Sequence, residues 1–212
     1  MTQATARRTA VRRPPDGPGQ VVREAEFTRA LDAYDLDAAG LRTRSLVVPA
    51  GEPVLLRGLE EVAPLERLLT TEDLDQFKAW VGVADELIAA GTFLAPPAEQ
   101  APAGPCTARH LDPALEPGSA EWRDLELAAL QYLFGDSRTV EGYAGAVARH
   151  LAPFAAALYA AERIEIPAGA TLVLAGYPSV LVVKELVIHA GGALKLLCPA
   201  RVLVESLVKV GE

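Results

Sequence analysis

Ile164-Glu165-Ile166-Pro167-Ala168-Gly169-Ala170-Thr171-Leu172-Val173-Leu174-Ala175 is answered, 22 residues later, by Leu186-Val187-Ile188-His189-Ala190-Gly191-Gly192-Ala193-Leu194-Lys195-Leu196-Leu197. Each copy is a short apolar run, an Ala-Gly turn and a second short apolar run. The frame holds into the next run, where Val180-Leu181-Val182 matches Val202-Leu203-Val204, and a slip of one residue then aligns Leu186-Val187 with Leu207-Val208. A third copy lies upstream. Leu46-Val47-Val48-Pro49-Ala50-Gly51-Glu52-Pro53-Val54-Leu55-Leu56-Arg57-Gly58 matches Ile164 to Gly176 position for position, 118 residues apart, with the Pro-Ala-Gly turn included. Residues 59–162 therefore read as a helical insertion between neighbouring pieces of one β structure.

Parity assigns the faces. The even-numbered residues Ile164, Ile166, Leu172, Leu174, Val180, Val182, Leu186, Ile188, Leu194, Leu196, Val202, Val204, Val208 and Val210 are all apolar. If the turns keep register they share an inward face, because side chains alternate along a strand. Odd positions mix Glu165, Lys195, Arg201 and Lys209 with apolar Val173, Leu181, Val183 and Leu203. That apolar surplus makes Val173, Leu181, Val183 and Leu203 the candidates for an interface with a second copy. Gly51, Gly169 and Gly191 are expected to be equivalent corners, where a backbone without Cβ turns most freely.

A period near 22 with short strands and glycine corners is what a β-solenoid requires, each rung stacking its inner side chains on the next. Over residues 164–210 the pattern resembles the right-handed β-helix coil of polymer-forming cytoskeletal proteins such as bactofilins, without a diagnostic motif and with a helical bulk foreign to that family. The same strands would also satisfy a small β-sandwich or jelly roll. The Pro-Ala-Gly turn is similar to turns of cupins, but their metal site needs a His pair one residue apart. Here His189 stands alone, in the slot that holds Pro167 one repeat earlier.

The rest reads as helix and loop. Helices are expected at residues 21–39, 71–90, 119–134 and 139–162, with a short one at Pro64–Leu69; Ser119 and Thr70 or Thr71 supply caps, and Gly40, Gly91 and Gly135 supply stops. Pro153 should kink the last long helix, which the Ala-rich stretch Ala155–Ala161 would then continue. Residues 95–118 hold six prolines without a period and read as a long loop.

The chain has 212 residues and a net charge of −8. Half of it is apolar, which excludes a disordered chain, and the acidic balance excludes binding of nucleic acid by phosphate neutralisation. Five arginines in residues 1–23 against Asp16 give +4 there and leave −12 on the other 189 residues. Residues 1–20 are therefore expected to be a disordered basic arm ahead of a single α+β domain spanning 21–212. There is no signal-peptide core, no run of 18 apolar residues and no paired spacing of Cys106 and Cys198. The expectation is a cytoplasmic chain without membrane contact.

Catalytic chemistry is thinly represented. Arg109, His110 and Asp112 stand together in the 105–115 loop, where an imidazole near a carboxylate could serve as a general base in a hydrolytic or metal-dependent enzyme. An Asp opening a turn before Pro113 is the simpler account. A nucleophile elbow, a phosphate loop and a calcium loop are all missing, and His110, His150 and His189 are too scattered for a metal site. No catalytic, cofactor-binding or metal residue is assigned and no cofactor is expected. The reading is an α+β fold with a β-solenoid-like core from 46–58 and 164–210, packed against a helical excursion. It serves a non-enzymatic structural or adaptor protein that forms a homo-oligomer and takes a protein partner. A small-ligand or carbohydrate-binding module is the alternative, with the 105–115 enzyme third.

Overall fold

The repeat folds as parallel strands. In the computed structural model, which describes residues 20–21, 24–41, 44–58, 66–91 and 116–211, the chain is a mixed α/β fold in two compact units, Met1–Leu68 with Ala157–Glu212, and Leu69–Ala156. In the first unit, β1 (Gln20–Val21), α1 (Glu24–Ala33) and α2 (Ala38–Leu41) precede β2 (Ser45–Val47) and β3 (Val54–Leu56), and β4 (Glu66–Thr71) runs across the boundary between the units. The chain returns as β5 (Phe154–Ile166), β6 (Thr171–Leu174), β7 (Ser179–His189), β8 (Ala193–Leu196) and β9 (Ala200–Val210). One sheet runs β1-β9-β7-β5-β2, with β4 also pairing to β5, and the other runs β3-β6-β8. From β5 onward each successive strand changes sheet. Every ladder between repeat strands is parallel, so these strands do not form the antiparallel sandwich.

The register is the one the sequence alignment gives for the distant copy. Leu46 pairs with Ile164 and Leu56 with Leu174, both at the 118-residue offset. Ile164 pairs with Leu186 and Leu172 with Leu194, at the offset of 22. The slip lies earlier than expected, since Leu181 pairs with Val202 at an offset of 21. The turn Leu197–Pro199 between β8 and β9 is one residue shorter than Ala175–Pro178 between β6 and β7, which absorbs the missing residue.

Parity also needs correction. The buried core collects Tyr159, Ala161, Leu181 and Val183, then Ile164, Ile166 and Leu186, then Val202 and Val204, with Leu207 packed against it. The inner face thus changes from odd to even within β5 and β7, and from even to odd within β9. The switch falls at Glu162, Lys184 and Glu205, which the ladders skip between Ala161, Val183 and Val204 on one side and Arg163, Glu185 and Ser206 on the other. One extra residue per strand turns every later side chain over. Val180 and Val182 consequently lie outside the core cluster while still fully buried. Helix α1, with Phe27, Leu31 and Tyr34 buried, lies against β7 and β9.

Residues 154–162 are strand, where helix was expected. α6 (Ala144–Leu151) stops at Ala152, whose extended backbone (φ −73, ψ 153) is the conformation favoured before a proline. The alanines beyond it have high helix propensity, but the ladder to β7 satisfies their backbone and brings Ala157 and Ala161 into the core beside Leu181 and Val183. Leu69 likewise lies in strand β4, not in a short helix.

The second unit holds α3 (Leu74–Val81), α4 (Asp85–Ala89), α5 (Ala120–Phe134), a 3-10 turn at Ser137–Tyr143, and α6. The helix expected at 71–90 is split in two at Gly82. Asp73 caps α3, its Oδ1 accepting from the amides of Asp75 at 2.8 Å and Gln76 at 3.1 Å, while the Thr71 hydroxyl accepts from Asp73 N. Ser119 caps α5 by accepting from Trp122 N at 3.1 Å, and Gly135 ends it, as read from the sequence. Phe77 stacks on Phe154 with ring centres 5.1 Å apart.

Candidate functional site

The repeat strands run out at β8 and β9, and the edge they leave is the most distinctive surface of the first unit. Among the described residues β8 pairs only with β6, and β9 has β7 along one edge and on the other only β1, at Leu203 and Val204. Ala193 N donates to Ala170 and Leu197 N to Leu174, so by alternation the amides of Leu194 and Leu196 face the open edge. Beside it stand Leu196, 38% exposed, Leu197, 71%, and Val210, 40%. At the opposite end Val47 is exposed, but Val48 and Leu56 are fully buried. An uncovered edge with apolar side chains is a template for another strand.

A second feature crosses the outer surface of β5 and β7. Arg163 donates from Nη1 to Glu185 at 2.8 Å and from Nη2 to Glu165 at 3.0 Å, and His189 Nε2 lies 2.9 Å from the other Glu165 oxygen. His189 and Arg163 together hold the Glu165 carboxyl below its ordinary range. Next to this ladder a groove of about 420 Å³ is lined by Ser45, Glu162, Arg163, Lys184, Glu185, Glu205 and Ser206. Arg163 is committed to two carboxylates, and neither groove serine has an imidazole beside it among the lining residues. This lining of hydroxyl and charged side chains suits binding of polar groups.

The second unit contains a tighter polar cluster. Lys78 Nζ donates to Asp85 Oδ1 at 2.6 Å, and Ser137 donates to Asp85 from N at 3.0 Å and from Oγ at 2.6 Å. Burial would raise the Asp85 pKa, but these hydrogen bonds outweigh it and hold the carboxyl at about 2. Tyr132 is pushed up to about 12 by burial and by Asp75, to which its hydroxyl donates at 2.5 Å. A carboxylate at 2 and a phenol at 12 do not exchange protons near neutrality. The cluster ties α3, α4 and the start of the 3-10 turn together.

Of the residues singled out from sequence, Arg109, His110, Asp112 and Cys106 lie outside the described residues. Val173, Leu181, Val183 and Leu203 are buried to 4% exposure or less, so the chain itself covers them. Gly51, Gly169 and Gly191 have φ of 111, 75 and 78, and Gly169 N donates to Gly191 O at 3.1 Å. Cys198 is a half-buried thiol, its pKa raised by burial, 3.6 Å from Ser179 Oγ. Leu197 belongs to the same odd-numbered apolar surplus but is not among the four interface candidates, and it is the one that the structure leaves exposed, at 71%.

Among the described residues no three His, Cys, Asp or Glu side chains group as metal ligands. No described helix is long and apolar enough to cross a membrane. No family model, curated protein or solved structure matches the chain. The class it defines is a mixed α/β chain with in-register parallel repeat strands.

Proposed function

We propose that this chain is a non-enzymatic structural or adaptor protein whose repeat strands wind as a short β-solenoid and which self-associates through its β-repeat region. Strands that change sheet at intervals of 22 and 21 residues while staying in parallel register support the winding. The observation that carries the association is the edge of β8 and β9 left open among the described residues, with Leu196, Leu197 and Val210 exposed beside it. The test is mass by light scattering for the parent chain and for Leu197→Glu, with circular dichroism as the check on folding. The parent should be at least dimeric at ~100 μM, well above the ~1 μM constant of a moderate interface. Leu197→Glu, altering a side chain already 71% exposed, should shift mass toward the monomer without loss of fold. A strictly monomeric parent overturns the reading.

The groove at Ser45, Arg163, Lys184 and Ser206 favours a second reading, a module for a small polar or carbohydrate ligand, since about 420 Å³ is a usual size for such sites. Under that reading a saccharide panel would raise the melting temperature of the parent but not of Lys184→Ala.

A further inference from the structure

The groove of the second reading has a direction, and the strand registers set it. Ser45 pairs with Arg163, Arg163 with Glu185, and Glu185 with Ser206, so one in-register row crosses β2, β5, β7 and β9. These four side chains alternate with Leu46, Ile164, Leu186 and Leu207, which lie in the core or against it, and therefore point outward. Three strand spacings make the row about 14 Å long. Beside it runs a second row, Glu162, Lys184 and Glu205, the residues that the ladders skip. Both rows line the groove of about 420 Å³. We infer that the ligand of this groove is an uncharged, extended oligosaccharide lying across the strands, with Ser45 and Ser206 binding hydroxyls at its two ends. This assignment rests on the ligand-binding reading and adds the ligand's class, length and direction.

Charge selects the class. Arg163 already holds Glu185 at 2.8 Å and Glu165 at 3.0 Å, and Lys184 stands one strand away from Glu162 on one side and from Glu205 on the other. The cations thus have carboxylates at hand, and the lining sets Glu162, Glu185 and Glu205 against Arg163 and Lys184. An anionic chain would meet that surplus of acid, whereas a sugar hydroxyl, which both donates and accepts, can use every group in the groove. A peptide strand would need a sheet edge for its backbone, and these rows lie on a sheet face. The row length selects the size. An extended β-1,4-linked chain advances by roughly one strand spacing per ring, so about three rings reach from one serine to the other. A monosaccharide can touch only part of the row.

The test is calorimetric titration of the full chain with glucose and its β-1,4-linked oligomers up to the hexamer. Parent, Ser45→Ala and Ser206→Ala are compared, with circular dichroism as the check on folding. Both serines are exposed, so neither variant should unfold. Affinity should rise about 10-fold or more from glucose to the trisaccharide, as each ring adds hydrogen bonds, and level off beyond about four rings. Each variant should bind the trisaccharide about 3- to 10-fold more weakly, the loss of one hydrogen bond. Equal affinity for glucose and trisaccharide, variants that match the parent, or tighter binding of an α-1,4-linked galacturonate trimer overturns the inference while the ligand reading stands. If no oligomer binds at ~1 mM but another saccharide raises the melting temperature through Lys184, the inference again falls alone. If no saccharide does either, both fall.

Discussion

Gly191 and Gly192 are adjacent, yet alanine should be tolerated differently at each, and the difference tests the stacking of the repeats. At Gly191, φ is 78 and an added Cβ would meet only Gly169 N, at 3.8 Å. The cost there is conformational, about 1 to 2 kcal/mol for a left-handed L-residue, partly offset by ~0.4 to 1 kcal/mol from a stiffer unfolded chain. At Gly192 the Cβ would lie 2.6 Å from Ile166 O, 2.8 Å from Pro167 O and 3.1 Å from His189 O. All three are backbone atoms, and two belong to the preceding repeat, so relief requires the two repeats to part. The hydrogen bonds at risk are Gly192 N to His189 O, 2.8 Å, and Ala193 N to Ala170 O, 3.0 Å. At about 1 kcal/mol each, with the further cost of a buried unsatisfied group, Gly192→Ala should lose ~2 to 4 kcal/mol against ~1 for Gly191→Ala. Urea unfolding followed by far-ultraviolet circular dichroism measures both. Equal losses, or the larger loss at Gly191, would refute the 22-residue stacking at this turn.

Leu181→Ala, at a fully buried position inside the core, should cost ~2 to 5 kcal/mol in the same assay, and a loss below ~1 kcal/mol would refute its place in the core. The second unit should weaken in acid. Asp85 has a folded pKa below its ordinary 3.8, so its stabilisation is complete above about pH 4 and is lost as pH falls through about 2. Urea midpoints read from the fluorescence of Trp80 and Trp122 should fall between pH 5 and pH 2 by less in Asp85→Asn than in the parent.

The distant pairing was legible because Leu46–Gly58 aligns with Ile164–Gly176 without a gap, the Pro-Ala-Gly turn included, and local register propagates rigidly along a parallel ladder. Helix ends with a side-chain cap, such as Ser119, were legible for a similar reason, since capping is decided within four residues. Strand β5 was hidden. Ala155–Ala161 has the composition of a good helix, and only its long-range ladder to β7 makes it a strand, a tertiary effect that no local window contains. The face switch left a faint trace, in that Glu162, Lys184 and Glu205 put one charged residue in the same place of three successive repeats. The odd-numbered apolar surplus resembles a surface for a second copy only if the inner face is even throughout; the face switch instead puts Leu181 and Val183 inside the core. Leu196, Leu197 and Val210 carry no signal of exposure by themselves; what exposes them is that no strand continues the sheets beyond β8 and this end of β9 among the described residues.

Strands β2 and β3 are separated from the strands they pair with, β5 and β6, by the entire second unit, and this sets an order on synthesis. At roughly 5 to 20 residues per second, the ribosome needs on the order of 10 s between making Leu56 and making Leu174. Through that interval Leu46, Val48, Val54 and Leu56 have no ladder to join. Helix α5 meets mainly the 3-10 turn and α6 that follow it in the chain and can settle with them first. The parallel sheets close only once β5 to β9 have emerged, so the newborn chain carries two unpaired apolar strands that a holding chaperone would shield.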